Sequence, residues 1–528
     1  MKKRVLEGLE PAAVFQYFEE ICGIPHGSGN IQQISDYLVD FAKTNGLEYV
    51  QEPCGNVIMH APATPGYENR PGVILQGHMD MVAVKDADCT KDMEKEGLDL
   101  FIEMPAASEE GDDAVKTGPA SGANREFKGL VGARGTTLGG DDGIAVAMAM
   151  AVLADKTIPH PAIDFVATVN EETGMDGAIA LDPANIRERQ LINIDSEDEG
   201  IFIAGCAGGA TLRLRLPIER EDLPGADVYT ITLSGLQGGH SGTEIHKNRA
   251  NAILLMGRVL RSLNGARLLF LDGGTKDNAI PVSAKAVVAV SAGTEYDEVG
   301  VRHDSAGTVT NTASGTAQDA TELNLSAITA ELQNAFAGKE DGLTITLEKF
   351  GGSMSRVGVL SEDCQEKLLN LLTILPFGPA AMSTLPELVE TSDNVGIIRT
   401  TEDMVEIATS VRSLIESEKQ ALIEKITTMA ELCGATVSRN SEYPGWQYRM
   451  DSPLRDLVVA AYREQYGEEP QVLTIHAGLE CGLLLEKIPD LDAISMGPQM
   501  HDIHTTKERM DIASVERTWR LLLSILGK

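Results

Sequence analysis

The order of residue types along the chain constrains the fold more than any other feature. Short β-branched runs recur, and each passes into a polar turn. Val73–Gln76 runs into GHMDMV, Ile163–Val169 into NEETGMDGA, and Leu191–Ile194 into DSEDEG. Between the first two lies RGTTLGGDDG, followed by an Ala/Met/Val helix at Ile144–Ala154. Strands alternating with helices predict an α/β sheet covered by helices. In an open sheet of that kind, ligands bind beyond the carboxyl ends of the strands. The polar turns are therefore the first places to look for chemistry.

Helical spacing also predicts helices at Pro11–Cys22 and Ile31–Ala42, with short strands at Gly46–Gln51 and Asn56–His60. After about Gly208 the texture changes to alternating strands: Thr211–Leu216, Asp227–Ser234 and Lys285–Ser291. Helices are expected at Asn251–Leu263, Ala327–Phe336 and Ser417–Leu432. From Tyr443 the α/β texture returns, with a helix at Leu454–Gln465, strands at Gln471–Ile475 and Asp492–Met496, and a last helix at Ile512–Leu526. A chain of 528 residues exceeds one ordinary core, so two domains are expected. The reading is an α/β fold. A catalytic domain of residues 1–207 and 444–528 carries a mixed central sheet flanked by helices, and 208–443 form an inserted α+β lid domain. The polar stretches 85–128 and 295–319 read as surface insertions.

Lys plus Arg number 44 and Asp plus Glu 79, a formal net charge of −35. A surface this acidic repels phosphate backbones and anionic lipid, which argues against nucleic-acid and membrane partners. It would favour capture of cationic metals. No apolar run approaches the ~20 residues that span a bilayer. The start, MKKRVLEGLEPAAVFQYFEE, lacks the apolar core of a signal peptide. The seven cysteines are scattered and never in CxxC spacing, which suits a reducing compartment, so a cytoplasmic location is expected.

The chemistry-bearing residues follow from the polar turns. His78 and Asp80 stand two apart at a strand end, so they face one side, and a carboxylate there can orient the imidazole. In GGDDG, Asp141 or Asp142 opens a helix, either as an N-cap or as a carboxylate bridging two cations. Glu171 and Glu172 end a buried strand, where paired like charges are costly unless cations or a shared proton compensate. One suits a metal and the other a general base. Asp195 follows a further strand, and His501 and His504 lie in a loop near the C-terminus. Together these form a nitrogen and oxygen ligand set without thiolates. It suits a pair of zinc, cobalt or manganese ions.

The motifs GHMDMV, TTLGGDDGIAVA, NEETGMDGA, NIDSEDEG, GGHSGTEIHKNRANA, TKDNAIP, YPGWQYRMDSPL, IHAGLECG and IHTTKER resemble the aminoacyl-histidine dipeptidases of the M20 metallopeptidases. The match is collinear over essentially the whole chain, and is weakest in the two polar insertions. The resemblance implies that His78 and Asp195 hold one metal, Glu172 and His504 the other, and that Asp141 bridges them. It makes Asp80 the residue that orients His78, and Glu171 the general base. It makes His240 of GGHSG the donor to the oxyanion, and gives Asn278, Arg412 and Gly478 to the substrate. Asp142 beside Asp141 leaves the register of the bridge open. His501 competes with His504, although the Thr-Thr-Lys-Glu-Arg continuation favours His504. His26 and Trp446 read as structural.

The implied enzyme is a cytosolic dipeptidase with two divalent ions, Zn2+ first and Co2+ or Mn2+ as alternatives. It would hydrolyse Xaa-His dipeptides such as β-Ala-His. Two such ions ~3.5–4 Å apart activate a water and polarise a carbonyl. Glu171 would carry the water proton to the leaving nitrogen. Arg412 can grip a carboxylate bidentately. The resemblance also allows a homodimer paired through the inserted domain. The alternatives are another M20 hydrolase (tripeptide aminopeptidase, carboxypeptidase or deacylase) and a non-catalytic peptide-binding relative.

Overall fold

The structure is a computed structural model that describes residues 4–104, 128–263, 265–291, 317–351, 358–384 and 388–528. The greater part of the two polar insertions expected at 85–128 and 295–319 lies outside these residues. The chain forms two compact units. One comprises Met1–Cys206, Trp446–Ile475 and Leu479–Lys528; the other comprises Ala207–Gly445 and the short segment His476–Gly478.

The first unit is built on an eight-stranded mixed sheet. Its spatial order is Glu48–Gln51, Val57–Ala61, Ile163–Thr168, Val73–His78, Gln190–Asn193, Asp492–Ser495, Ile201–Cys206 and Gln471–Ile475. Four neighbours in the middle, from Ile163–Thr168 to Asp492–Ser495, run parallel. Their carboxyl ends therefore share one edge. Side chains alternate across this sheet as the two-residue period demands. Leu75, Phe165 and Ile192 join one buried cluster, with Phe15, Phe18, Met148 and Met150 from the covering helices. Ile74, Val166 and Leu191 join another, with Leu484 and Ile488. Burial on both faces explains why these strands are nearly continuous apolar runs. The helix Gly140–Ala154 is buried on nearly every side, and its alanines allow that close approach.

The second unit is an antiparallel sheet with helices Ala252–Ser262, Ala317–Ala335, Glu362–Ile374 and Glu416–Leu432. The sequence reading missed the longest hairpin of this sheet, Val389–Thr400 with Met404–Ser413. The reason is visible in its burial. Thr391, Ser392, Asp393 and Asn394 are consecutive and all buried. Polar residues on both faces erase the apolar alternation that marks a strand. The helix Ala317–Ala335 also starts ten residues before the expected Ala327. Among the described residues, no helix is long and apolar enough to cross a membrane.

Candidate active site

Parallel pairing delivers the polar turns of the first unit to one place. The strand Val73–His78 ends at His78, which is 1% exposed. Its Nδ1 lies 2.9 Å from the backbone carbonyl of Asp80, a group that only accepts. Nδ1 therefore carries the proton, and Nε2 points onward. The carboxylate of Asp80 sits farther away, at 3.6 Å from Nδ1. It accepts instead from Ser28 Oγ at 2.8 Å and from the backbone N–H of Glu171 at 3.0 Å. Asp80 thus joins the His78 turn to the Glu171 turn, and both its main-chain carbonyl and, at the longer distance, its carboxylate face the ring.

Nε2 of His78 faces Asp141 Oδ1 at 3.1 Å and Asp195 Oδ1 at 3.6 Å. The other oxygen of Asp141, Oδ2, faces Nε2 of His504 at 3.0 Å. That same nitrogen is 2.9 Å from Glu172 Oε1. Two sets of potential metal-binding atoms follow: His78, Asp141 and Asp195, and Asp141, Glu172 and His504. Asp141 belongs to both, with one oxygen toward each histidine. Glu171 falls in a third set with His78 and Glu172. Asp142, the other register of the bridge, is turned inward at 1% exposure and accepts the backbone N–H of His78 at 3.2 Å. His501 belongs to none of these sets among the described residues; it pairs with Arg509 in a two-strand turn.

The electrostatics ask for positive charge. Burial pushes the Glu171 and Asp142 carboxyls well above the carboxylate range, and neighbouring carboxylates add to it. Burial, with Asp141 and Glu172 beside it and against the pull of His78, carries Asp195 to about 6. Burial opposes the charge on His504, yet Asp141 and Glu172 still raise it to about 11. Imidazole nitrogens aimed at carboxylates within 3.1 Å are stable only with a proton or a cation there. The donor chemistry, oxygen and imidazole nitrogen without thiolate, fits a pair of divalent transition-type ions.

The loop that presents Asp141 is held from below. Glu508 is buried and accepts the backbone N–H groups of Leu138, Gly139 and Gly140 at 2.8, 3.2 and 2.9 Å. Gly139 has φ +68, and a Cβ there would lie 2.8 Å from the Met81 sulfur, so only glycine fits. Glu480, 0% exposed, accepts from Gln76 Nε2 at 2.6 Å and from Thr168 Oγ1 at 2.7 Å. Gln76 in turn accepts from Asn193 Nδ2 at 2.7 Å. This network ties together, just beneath their ends, three strands that lead into the potential metal-binding residues. Sequence reasoning missed Glu508 and Glu480, although both lie within the motifs IHTTKER and IHAGLECG.

In the second unit, His240 pairs with Ala279 across a two-residue ladder, and the Asn278 carbonyl accepts the N–H of Ser241 at 2.9 Å. His240 Nδ1 accepts the backbone N–H groups of Gly242 and Thr243 at 3.2 and 3.1 Å. A nitrogen that accepts carries no proton, so His240 is the neutral tautomer with Nε2–H. Arg412 is 8% exposed, and its Nη1 donates to Tyr443 Oη at 2.7 Å. Its Nε has no hydrogen-bond partner, and no carboxylate lies within ion-pair distance of it among the described residues. Gly478 lies against the Tyr443 ring. The sequence reading also passed over His476, buried with Nε2 2.7 Å from Ser392 Oγ. Burial, then Arg412 and His240, lowers His476 to about 3, so it is a neutral imidazole.

A histidine and acid cage at the carboxyl edge of parallel strands, with one carboxylate common to two potential metal-binding sets, fits a metal-dependent hydrolase. The family comparison agrees: the model of peptidase family M20/M25/M40 matches residues 112–528. The chain belongs to that family and is a metallopeptidase, a hydrolase of peptide bonds. It is similar to the cytosol non-specific dipeptidase of Escherichia coli (strain K12), at 36% identity over 99% of this chain and 98% of that protein. Among solved structures, the aminoacylhistidine dipeptidase of Vibrio alginolyticus is 33% identical, covers 99% of this chain and 98% of its own, and superposes with a TM-score of 0.76. An aminopeptidase (PepT) of Bacillus cereus, 15% identical with a TM-score of 0.51 and 98% of each chain covered, shares the fold.

Proposed function

We propose that the chain is a cytosolic dipeptidase that works with two divalent metal ions and cleaves dipeptides of the Xaa-His type, such as β-Ala-His. The observation that carries this reading is Asp141, whose two oxygens face two histidines from opposite ends of the chain. The names of the two whole-length relatives support the dipeptide substrate.

In this reading His78 and Asp195 would hold one ion, Glu172 and His504 the other, and Asp141 both. Bound divalent ions make a water acidic near neutral pH and polarise a carbonyl. Glu171 accepts the proton of the attacking water at its carboxylate and returns it to the leaving nitrogen as the C–N bond breaks. Its backbone N–H is tied to Asp80, which keeps the carboxylate beside His78 and Glu172. His240 donates its Nε2–H to the oxygen that becomes negative. Arg412 takes the substrate carboxylate as a two-pronged donor, with Asn278 and the bare backbone of Gly478 as further contacts. The zinc assignment, with cobalt or manganese as substitutes, follows from the donor types. A homodimer is part of the same proposal by family likeness alone.

The test is a panel of substrates on protein stripped with chelator and then reloaded with zinc, cobalt or manganese. β-Ala-His and Ala-His should be hydrolysed only by the reloaded enzyme. Tripeptides and N-acyl amino acids should be poor substrates. Preference for either of those classes would replace the dipeptidase reading with another activity of the family.

A further inference from the structure

We propose that Tyr443 is a positioning residue that presents Arg412 to the substrate carboxylate, and so selects dipeptides with a free C-terminus. The proposal rests on the reading of Arg412 as the carboxylate grip. Every group it uses belongs to the second unit.

A buried guanidinium without a carboxylate partner is costly unless its donors are steered to an incoming anion. Tyr443 supplies the steering. Its hydroxyl oxygen receives Nη1 of Arg412 at 2.7 Å, which fixes the plane of the fork while Nε stays unpartnered. The ring itself is gripped by bare backbone. A Cβ on Gly209 would lie 2.5 Å from Tyr443 Oη, and a Cβ on Gly478 would lie 2.6 Å from Tyr443 Cε2. Neither glycine has a positive φ, so space and not backbone conformation demands glycine at both.

The main chain of Tyr443 is held as firmly. The strand Thr436–Tyr443 pairs with Gly208–Pro217, and its register shifts between Asn440 and Tyr443. Tyr443 is thereby set opposite Gly209, beyond the irregularity. Its carbonyl accepts from Lys419 Nζ at 2.9 Å, and Lys419 is 1% exposed, paired with Glu416 at 3.0 Å in its own helix. A buried lysine that donates to this carbonyl while paired with Glu416 and Glu442 marks a position that the fold spends stability to define. Arg412, given to the substrate carboxylate, and Gly478, given to the substrate backbone, both touch this one side chain.

The experiment compares Ala-His with its C-terminal amide on zinc-loaded enzyme. For wild type, kcat/KM should favour the free acid strongly, and R412Q should collapse that ratio. Tyr443→Phe removes the hydroxyl alone. It should raise KM for the free acid about tenfold, as loss of a hydrogen bond to a charged group does, with kcat and the amide changed less than about twofold. Gly209→Ala keeps the hydroxyl but pushes the ring, and should give the same acid-specific rise in KM. If R412Q collapses the ratio while Tyr443→Phe and Gly209→Ala leave it intact, the role of Tyr443 is overturned and that of Arg412 stands. An equal fall in kcat on both substrates also overturns it, as a merely structural tyrosine. If R412Q leaves the ratio unchanged, the reading of Arg412 fails first and the proposal with it. Should Tyr443→Phe not fold, Gly209→Ala decides alone.

Discussion

The buried polar clusters of the two units differ in charge. In the first, Asp80, Asp141, Asp142, Glu171, Glu172 and Asp195 crowd around two histidines. In the second, Arg412 is buried near the neutral imidazole of His476, with no carboxylate within ion-pair distance of it among the described residues. Unbalanced buried charge is costly, and a fold keeps it only where something of opposite sign arrives. In the proposed dipeptidase the first cluster would take cations and the second the carboxylate of the substrate.

The comparison breaks first at Asp141. Asp141→Ala removes one oxygen from each cation position, so metal content should fall well below two per chain and hydrolysis should disappear. Zinc at 100 times its Kd stabilises a folded site by about 2.7 kcal/mol, and the variant should lose that rise in melting temperature. Metal analysis with a zinc-dependent melt checks it; two tightly held ions in the variant would end the shared-ligand reading. Glu171→Ala separates chemistry from metal holding. Its metal content should stay near normal while kcat falls by about 10³, in the range for a general base. An unchanged rate would return that role to another group.

The second unit gives the next effect. His240→Ala removes an Nε2–H fixed by two backbone donors on the other ring nitrogen. It should lower kcat by about 10²–10³ and leave metal content untouched. A loss of bound metal on this substitution would erase the division of labour between the two clusters.

How much of this was legible in the sequence depends on what hid each residue. The cluster of potential metal-binding residues could be read because parallel strands in an α/β sheet send polar turns to one edge, and His78, Glu171 and Asp195 each follow a recognisable apolar run. The register of the bridge could not, because Asp141 and Asp142 are adjacent and only the backbone decides which faces the histidines. Glu508 and Glu480 stayed hidden because their partners are backbone N–H groups and polar side chains far away in sequence. The strand Val389–Thr400 stayed hidden because its polar residues are buried on both faces. Tyr443 was read only as a domain boundary and within a motif; its meaning lies in Arg412, 31 residues away. What escaped was mostly support, which works through contacts that no local pattern announces.

The smallest effect sharpens the contrast from an acid in the second unit. Asp393 is 0% exposed, takes Thr409 Oγ1 at 2.7 Å on one oxygen and leaves the other without a partner. It follows Ser392, which pairs across the ladder with Arg412, so the two-residue period turns Asp393 to the opposite face. Burial raises it to about 7, against hydrogen bonds from Thr409 and the Asn394 backbone that pull it down. The unfolded chain releases this proton near pH 4 and the folded chain near 7, so between them the folded state binds more protons. Stability from this group is then full below about pH 4 and is lost as pH rises toward 7, by at most ~1.4 kcal/mol per unit. Asp393→Asn keeps an acceptor for Thr409 and removes the titration. At fixed metal loading it should match wild type near pH 4 and melt several degrees higher at pH 8. Parallel melting curves across that window would mean that Asp393 is ionised in the fold, and that the second unit holds a buried anion of its own.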